Sequence, residues 1–231
     1  MTHMHIPDGV LPVKIWMLGM VIMMLALGIS VFRIRAADLM KKAPLLGAMS
    51  AVMLVVMSLE ILPLAYHVNL SVVAGILLGP SLGFLAAFIT NLMLAFMGHG
   101  GITVIGLNTL LLGSEAVLGH LLFYLFRKRF PIFWRAAGVT VITLLITTLA
   151  LISIVAVSHV DPDLLRHADE HGDGVEGHVS IQTFAVLVLS LGSLGWIIEA
   201  AITGAVVKFI SQVKPELLAH ALHRDAIGRP E

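Results

Sequence analysis

Residues 68–97, which read VNLSVVAGILLGPSLGFLAAFITNLMLAFM, decide how often this chain crosses a membrane. The stretch is almost wholly apolar, and its length of about 30 residues is long for one helical span and short for two, because a span needs roughly 20 residues. Gly79-Pro80 interrupts it, and a proline inside a helix removes a hydrogen bond and clashes with the preceding turn. We therefore predict a short or tilted, buried helix over 68–79 and a separate helix after it.

The rest of the chain has the composition of a membrane protein. It has 231 residues with a mean hydropathy of +1.00 and only 12% charged residues, too apolar for a water-soluble core. Backbone polar groups must be satisfied inside the bilayer, and the alternating segments of a barrel are missing, so the spans should be helices. The prediction is an all-α, polytopic protein with seven transmembrane helices. The other six spans comprise the one after Gly79-Pro80 and apolar runs at about 12–33, 44–63, 103–126, 132–157 and 182–209.

The basic residues predict the orientation of these helices. With a break at Gly79-Pro80, all Lys and Arg residues except Lys14 and Arg166 fall on one side, which the positive-inside rule makes cytoplasmic. The protein is then predicted to lie in the cytoplasmic (cell inner) membrane, with its N-terminus on the outer side and its C-terminus on the cytoplasmic side. We expect one membrane domain over 1–231, with 211–231 as a cytoplasmic tail. The first eleven residues lack a signal-peptide pattern, so the first apolar run should stay in the membrane.

The histidines cluster on the opposite, outer side under this topology. Imidazole is the commonest ligand of Ni, Co, Cu and Zn, and the absence of cysteine leaves only nitrogen and oxygen ligands. The net charge is zero, so nothing indicates a nucleic-acid partner. The pattern therefore favours an extracytoplasmic divalent-metal site. The eight outer histidines are His3, His5, His67, His99, His159, His167, His171 and His178.

The N-terminal histidines suggest a particular kind of chelate. A terminal amine, the next amide nitrogen and that residue's imidazole can bind one ion in a plane, a geometry typical of Ni(II) or Cu(II). His67 is the candidate for the fourth position. The alternative is a frayed terminus with His67 as an interfacial cap.

Two other histidine-bearing segments have less specific interpretations. Residues 158–180 contain four His and six Asp or Glu, which fits either a low-affinity metal antenna or a solvated acidic loop. His99, between glycines, fits a ligand, a second-shell donor or a turn residue. We favour a second-shell donor, because ligating histidines need partners for their other ring nitrogen.

Three motifs stand out in the first half of the chain: MHIPDGVLP at 4–12, His67 followed by Gly79-Pro80, and GHGGIT at 98–103 with Gly106 and Asn108. Together they resemble the CbiM/NikM family, the substrate-capture components of energy-coupling-factor cobalt and nickel importers. The resemblance covers most of residues 4–126, and it implies seven helices, an N-terminal strand inserted among them, and metal ligation by Met4 nitrogen, His5 and His67. It also implies a coupling transmembrane protein and ATP-binding cassette ATPases as partners, with a small accessory membrane subunit as a further candidate.

The sequence departs from the family pattern at its start, where Met1-Thr2-His3 precedes the Met-His pair. With this prefix the Met4 nitrogen is an amide rather than an amine. Translation from Met4, processing to Met4, or chelation by the prefix itself would each restore an amine beside a histidine. A true start at Met4 is the interpretation we favour.

The resemblance leaves other functions to be weighed. No phosphate-binding loop occurs, so the chain has no P-loop of its own to drive transport. A stand-alone secondary transporter or channel would use Glu115 or Glu199, the acids nearest the bilayer middle, although hydrogen-bonded carboxyls tying helices together are the simpler interpretation. A membrane metalloenzyme is the third possibility. Asn108 is expected to brace the metal loops, and the choice between cobalt and nickel stays open.

Overall fold

The computed structural model of the chain describes residues 11–34, 36–59, 67–127, 129–158 and 181–218, which form α-helices joined by short connections, with no strand. The all-α prediction is confirmed. Five of the seven helices are long and apolar enough to span a membrane, so this is a multi-pass membrane protein. The helices are α1 (Val13–Arg33), α2 (Ala36–Ser58), α3 (Ser71–Leu78), α4 (Pro80–Phe96), α5 (Ile105–Leu125), α6 (Ile132–Ser158) and α7 (Ile181–Val213).

Helix α2 begins earlier than the sequence predicted. The span was expected from about residue 44, with Lys41 and Lys42 in a loop, but both lysines lie within α2. The apolar run from which the span was predicted begins only after these lysines, whereas the helix includes them and continues through Pro44. Prolines are tolerated in membrane helices where neighbouring groups satisfy the freed carbonyl.

Helix α3 is the short buried helix that Gly79-Pro80 predicted. All its residues are buried, and it ends at Gly79, whose φ of 90° lets α4 begin immediately at Pro80. Along α3, Val72 packs against Gly119 and the Ile76 carbonyl accepts a hydrogen bond from Tyr124, so α3 and the second half of α5 run in the same direction. Helix α3 therefore fills only half the depth of the bundle.

We call the end of the bundle where α5 begins and α6 ends the upper end, and the opposite end the lower end. Side chains of two other helices donate to carbonyl groups at the lower end of α3, including the Gly75 carbonyl, which also accepts from the Gly79 backbone N–H at 3.0 Å. His120 Nδ1 donates to the Gly75 carbonyl at 3.0 Å, and Lys42 Nζ donates to the Leu78 carbonyl at 3.1 Å. These donors stabilise a helix end that would be costly to leave unpaired in a bilayer.

Glycine allows α3 to approach α5 closely. A Cβ built on Gly75 would overlap the carbonyl oxygen of Ala116, and one on Gly83 of α4 would crowd Gly75 itself. Small residues at such crossings let backbones touch, which is how helices associate without a hydrophobic driving force in lipid.

We predict that Gly75→Ala lowers the free energy of unfolding by about 1–3 kcal/mol, the usual cost of overpacking a tight interior. Thermal unfolding of the detergent-solubilised protein measures the effect. Gly138→Ala is the matched control, since a Cβ at Gly138 meets nothing within 4 Å. Equal stability of the two variants would contradict the α3–α5 packing described above.

Candidate metal centre

A buried bridge of polar side chains joins three helices halfway through the bundle. Asn69 Nδ2 donates to Glu115 Oε2 at 2.5 Å, and Thr147 Oγ1 donates to Glu115 Oε1 at 2.9 Å. Glu115 stands at the centre of α5, and all three side chains are buried. The bridge therefore fixes the start of α3 to the middle of α5 and α6.

The same asparagine also begins α3. Asn69 Oδ1 accepts a hydrogen bond from the Ser71 backbone N–H at 2.7 Å, satisfying one of the N–H groups that a helix start leaves without partners. Between them Leu70 has a φ of 57°, a left-handed conformation that is uncommon for leucine and persists where surrounding contacts enforce it. The turn from the extended chain into α3 is thus tightly specified.

His67 is close to this bridge in sequence. It is half-buried, with its Nδ1 atom inaccessible to solvent, and it precedes Asn69 by two residues in non-helical chain. Two residues span at most about 7 Å, so the His67 backbone stays close to the level of Glu115, beside the start of α3.

The N-terminal motif leads into this same upper half. Leu11 is buried in a cluster with residues from the start of α5, the end of α6 and the start of α7. Asn108 is also buried, and it lies seven residues, or about 10 Å, above Glu115 on the same face of α5. The neighbours of Leu11 in this cluster are Val104, Leu107, Leu151, Val155 and Val188.

His99 has a different environment from His67. Its side chain is exposed, and its backbone N–H donates to the Leu94 carbonyl at 2.9 Å in a turn flanked by Gly98 and Gly100, both with positive φ. The other histidines of the predicted site lie outside the described residues, as does Met4. These are His3, His5, His159, His167, His171 and His178. Within the described ranges, no three His, Asp or Glu side chains come together as a metal-binding group.

The family model of the CbiM cobalt uptake substrate-specific transmembrane region matches residues 5–217. The chain belongs to the CbiM family. A relative from Archaeoglobus fulgidus, named "Putative fused nickel transport protein NikMN", is 27% identical over 226 residues, covering 93% of this chain and 68% of the relative. The resemblance predicted from the motifs is confirmed, and the protein is a transition-metal transporter of the CbiM/NikM type.

Two solved structures share the fold of this CbiM-family chain. A transition metal transporter aligns over 97% of this chain and 100% of its own, with a TM-score of 0.74 and 20% identity. A truncated transition metal transporter covers 90% of this chain and 99% of its own, with a TM-score of 0.71 and 18% identity. The arrangement of helices is therefore one already known among transporters of such metals.

The roles predicted for His67 and Asn108 stay predictions, and sequence reasoning did not identify the hydrogen bonds that Glu115 makes with Asn69 and Thr147. The hydrogen bonds of Glu115 agree with its interpretation as a carboxyl that ties helices together. Asn69 and Thr147 were missed because their partner is distant in sequence. An asparagine close to the start of a helix was the available signal for Asn69, since asparagine side chains often satisfy the first N–H groups.

We predict that Thr147→Val lowers the free energy of unfolding of this CbiM-family protein by about 1–3 kcal/mol, because a buried carboxyl oxygen loses a donor. Thr109→Val is the control of the same size and chemistry. The Thr109 hydroxyl is buried without a hydrogen-bond partner among the described residues, so its removal should leave stability equal or higher. Chemical denaturation measures the free energy of unfolding of both variants. A larger decrease for Thr109→Val than for Thr147→Val would refute the hydrogen bond between Thr147 and Glu115.

Proposed function

We propose that this chain is the substrate-capture subunit of an energy-coupling-factor importer, binding Ni(II) or Co(II) at an extracytoplasmic site. The observation that supports this most is the burial of Leu11 in the upper half of the bundle, together with the position of His67 just before α3, a helix that fills only half the depth of the bundle. Met4 nitrogen and His5 would complete the site with His67. The ligands would then come from two segments distant in sequence.

The length of the N-terminal segment is compatible with this ligand set. His5 precedes Leu11 by six residues, which can reach about 20 Å when extended. Leu11 packs at the level of Val104 and Leu107, and His67 lies near the level of Glu115, some 10–15 Å deeper along α5. The His5 imidazole can therefore descend from Leu11 to the His67 ring within the bundle.

Transport would proceed by capture, desolvation and delivery. The nitrogen ligands replace the hydration shell of the ion in one plane, a geometry suited to Ni(II) and available to Co(II). The loaded subunit then reorients against a coupling transmembrane protein, while partner ATP-binding cassette ATPases supply the energy. A small accessory membrane subunit is a further proposed partner.

The remaining assignments follow from the same topology. The protein lies in the cytoplasmic membrane as one domain with its N-terminus outside, and 211–231 form the cytoplasmic tail, of which 211–213 still belong to α7. Asn108 braces the ligands from α5. His3 and His99 act as second-shell or antenna residues, and His159, His167, His171 and His178 form an antenna that raises the local cation concentration.

We predict that His5→Ala and His67→Ala each lower Ni(II) and Co(II) affinity by more than about tenfold, the equivalent of about 1.4 kcal/mol. Each variant removes one of few nitrogen ligands, and calorimetric titration of the purified protein measures the loss. His120→Ala is the control, because His120 is bonded to Gly75 at the lower end. Unchanged affinity in both ligand variants would remove them from the site.

A second prediction concerns the mature N-terminus. Removing residues 1–3 should raise or preserve affinity, because Met4 then carries the amine that the planar chelate requires. Mass measurement of the natural N-terminus shows whether cells make this form. If the shortened protein bound tenfold more weakly, the prefix itself would be the chelating segment.

A further experiment separates the proposed importer from a stand-alone transporter. Vesicles containing this protein alone should bind metal without accumulating it, since the proposal assigns the energy to partner ATPases. Metal accumulation driven by a proton gradient would instead favour secondary transport through Glu115 or Glu199.

A further inference from the structure

We propose that Glu115 is a positioning residue for the metal ligand His67, acting through Asn69. This inference deepens the proposed function and rests on it. The described structure brings together the start of α3, the middle of α5 and the middle of α6 at a single carboxyl group. That carboxyl accepts a hydrogen bond from Asn69, which follows His67 by two residues.

The tether between the two residues is short. Only Val68 separates His67 from Asn69, and Val68 is itself buried in the main hydrophobic cluster. Asn69 is 0% exposed and is held at both ends of its amide, by Glu115 on one side and by the Ser71 N–H on the other. A shift of Asn69 along the bundle would therefore move His67 with it.

The carboxyl group itself is fixed by two helices. Its oxygens accept from Asn69 and from Thr147, in a region where no bulk water can replace a lost donor. Thr147 has an alternative acceptor in the Thr143 carbonyl at 3.2 Å, but Asn69 would leave a buried carboxyl oxygen behind if it moved. The bridge thus fixes the depth of Asn69 in the bundle and, through the short tether, the position of the His67 imidazole.

This arrangement assigns Glu115 a role distinct from metal ligation. Both of its oxygens accept hydrogen bonds from side chains of the protein, one from Asn69 and one from Thr147. A planar chelate tolerates little displacement of a ligand, and loss of groups that orient metal ligands typically costs 10–100-fold in affinity. Positioning, rather than coordination, is the contribution the contacts support.

The test exchanges the donor and the acceptor of the hydrogen bond between positions 69 and 115. Asn69→Asp keeps the acceptor for Ser71 but sets a carboxyl against Glu115, and Asn69→Asp with Glu115→Gln restores one donor and one acceptor in exchanged places. We expect Asn69→Asp to lower Ni(II) affinity by about 10–100-fold. The double variant should return to within about threefold of the natural protein.

Ni(II) titration of the full chain in detergent, followed by calorimetry and by the visible absorption of the bound ion, provides the readout. The absorption reports the planar nitrogen environment, which a merely stabilising role of the bridge would leave unchanged. We expect the band to weaken or shift in Asn69→Asp and to recover in the double variant. Should Asn69→Asp fail to fold, Thr147→Val tests the same bridge from α6, with a smaller loss and a shift in the same direction.

Glu199→Gln is the matched control, since Glu199 is an equally buried glutamate on α7. Its affinity should equal that of the natural protein. Unchanged affinity and absorption in folded Asn69→Asp would overturn the proposal, as would an equal loss in Glu199→Gln or a folded double variant without recovery. His67→Ala is measured alongside. If His67→Ala also binds Ni(II) as the natural protein does, the proposed ligand set fails. If His67→Ala does not bind Ni(II) while Asn69→Asp binds it normally, only the positioning role is rejected.

Discussion

The hydrogen bonds of Asn69, one to Glu115 and one from the Ser71 N–H, allow a helix to begin in the middle of a membrane. The first N–H groups of any helix lack partners within it, and the bilayer interior has no water to supply them. Here Asn69 caps Ser71, while Glu115 satisfies the asparagine in turn. A carboxyl near a helix start is also favoured by the helix dipole. The polar groups of α5 therefore make the half-length of α3 possible.

Side chains of α5 also form hydrogen bonds with carbonyl groups in the lower part of α3. His120 and Tyr124 donate to carbonyls of α3, and Gly75 brings the two backbones together so that these side chains can reach. Side chains of α5 therefore stabilise α3 both at its start, through Asn69, and along its lower part. Residues 67–70, which precede α3, are not helical, and irregular backbone at this depth occurs where it is buried in protein or lines a cavity. His67 lies in that segment, and Leu11 is buried in the upper half of the bundle.

Much of this fold could be predicted from the sequence, because hydropathy and proline position are local signals. The break at Gly79-Pro80 gave the short helix and the separate α4, and the apolar runs gave the long spans. The early start of α2 could not be predicted from hydropathy, since the apolar run begins only after two lysines that the helix includes. The same limit applied to Glu115. Its burial was readable from its position within an apolar span, but its partners Asn69 and Thr147 lie 46 and 32 residues away. Pairing over such separations depends on helix packing, which periodicity does not specify.

The proposed ligand set has a physical advantage that follows from how its two parts are anchored. His67 is linked through Asn69 to the bridge with α5 and α6, while Leu11, near the end of the N-terminal motif, packs on α5, α6 and α7. An ion bound by His67 and the N-terminal motif would join two segments that each have an anchor in the fold. Such anchoring would reduce the conformational entropy lost on binding and so raise the affinity through preorganisation. The bound ion would also fix the N-terminal segment relative to α3, so that a loaded subunit differs from an empty one at the upper end. A ligand shifts an equilibrium only through its different affinity for two states, and such a difference is what a transport partner would need to recognise a loaded subunit.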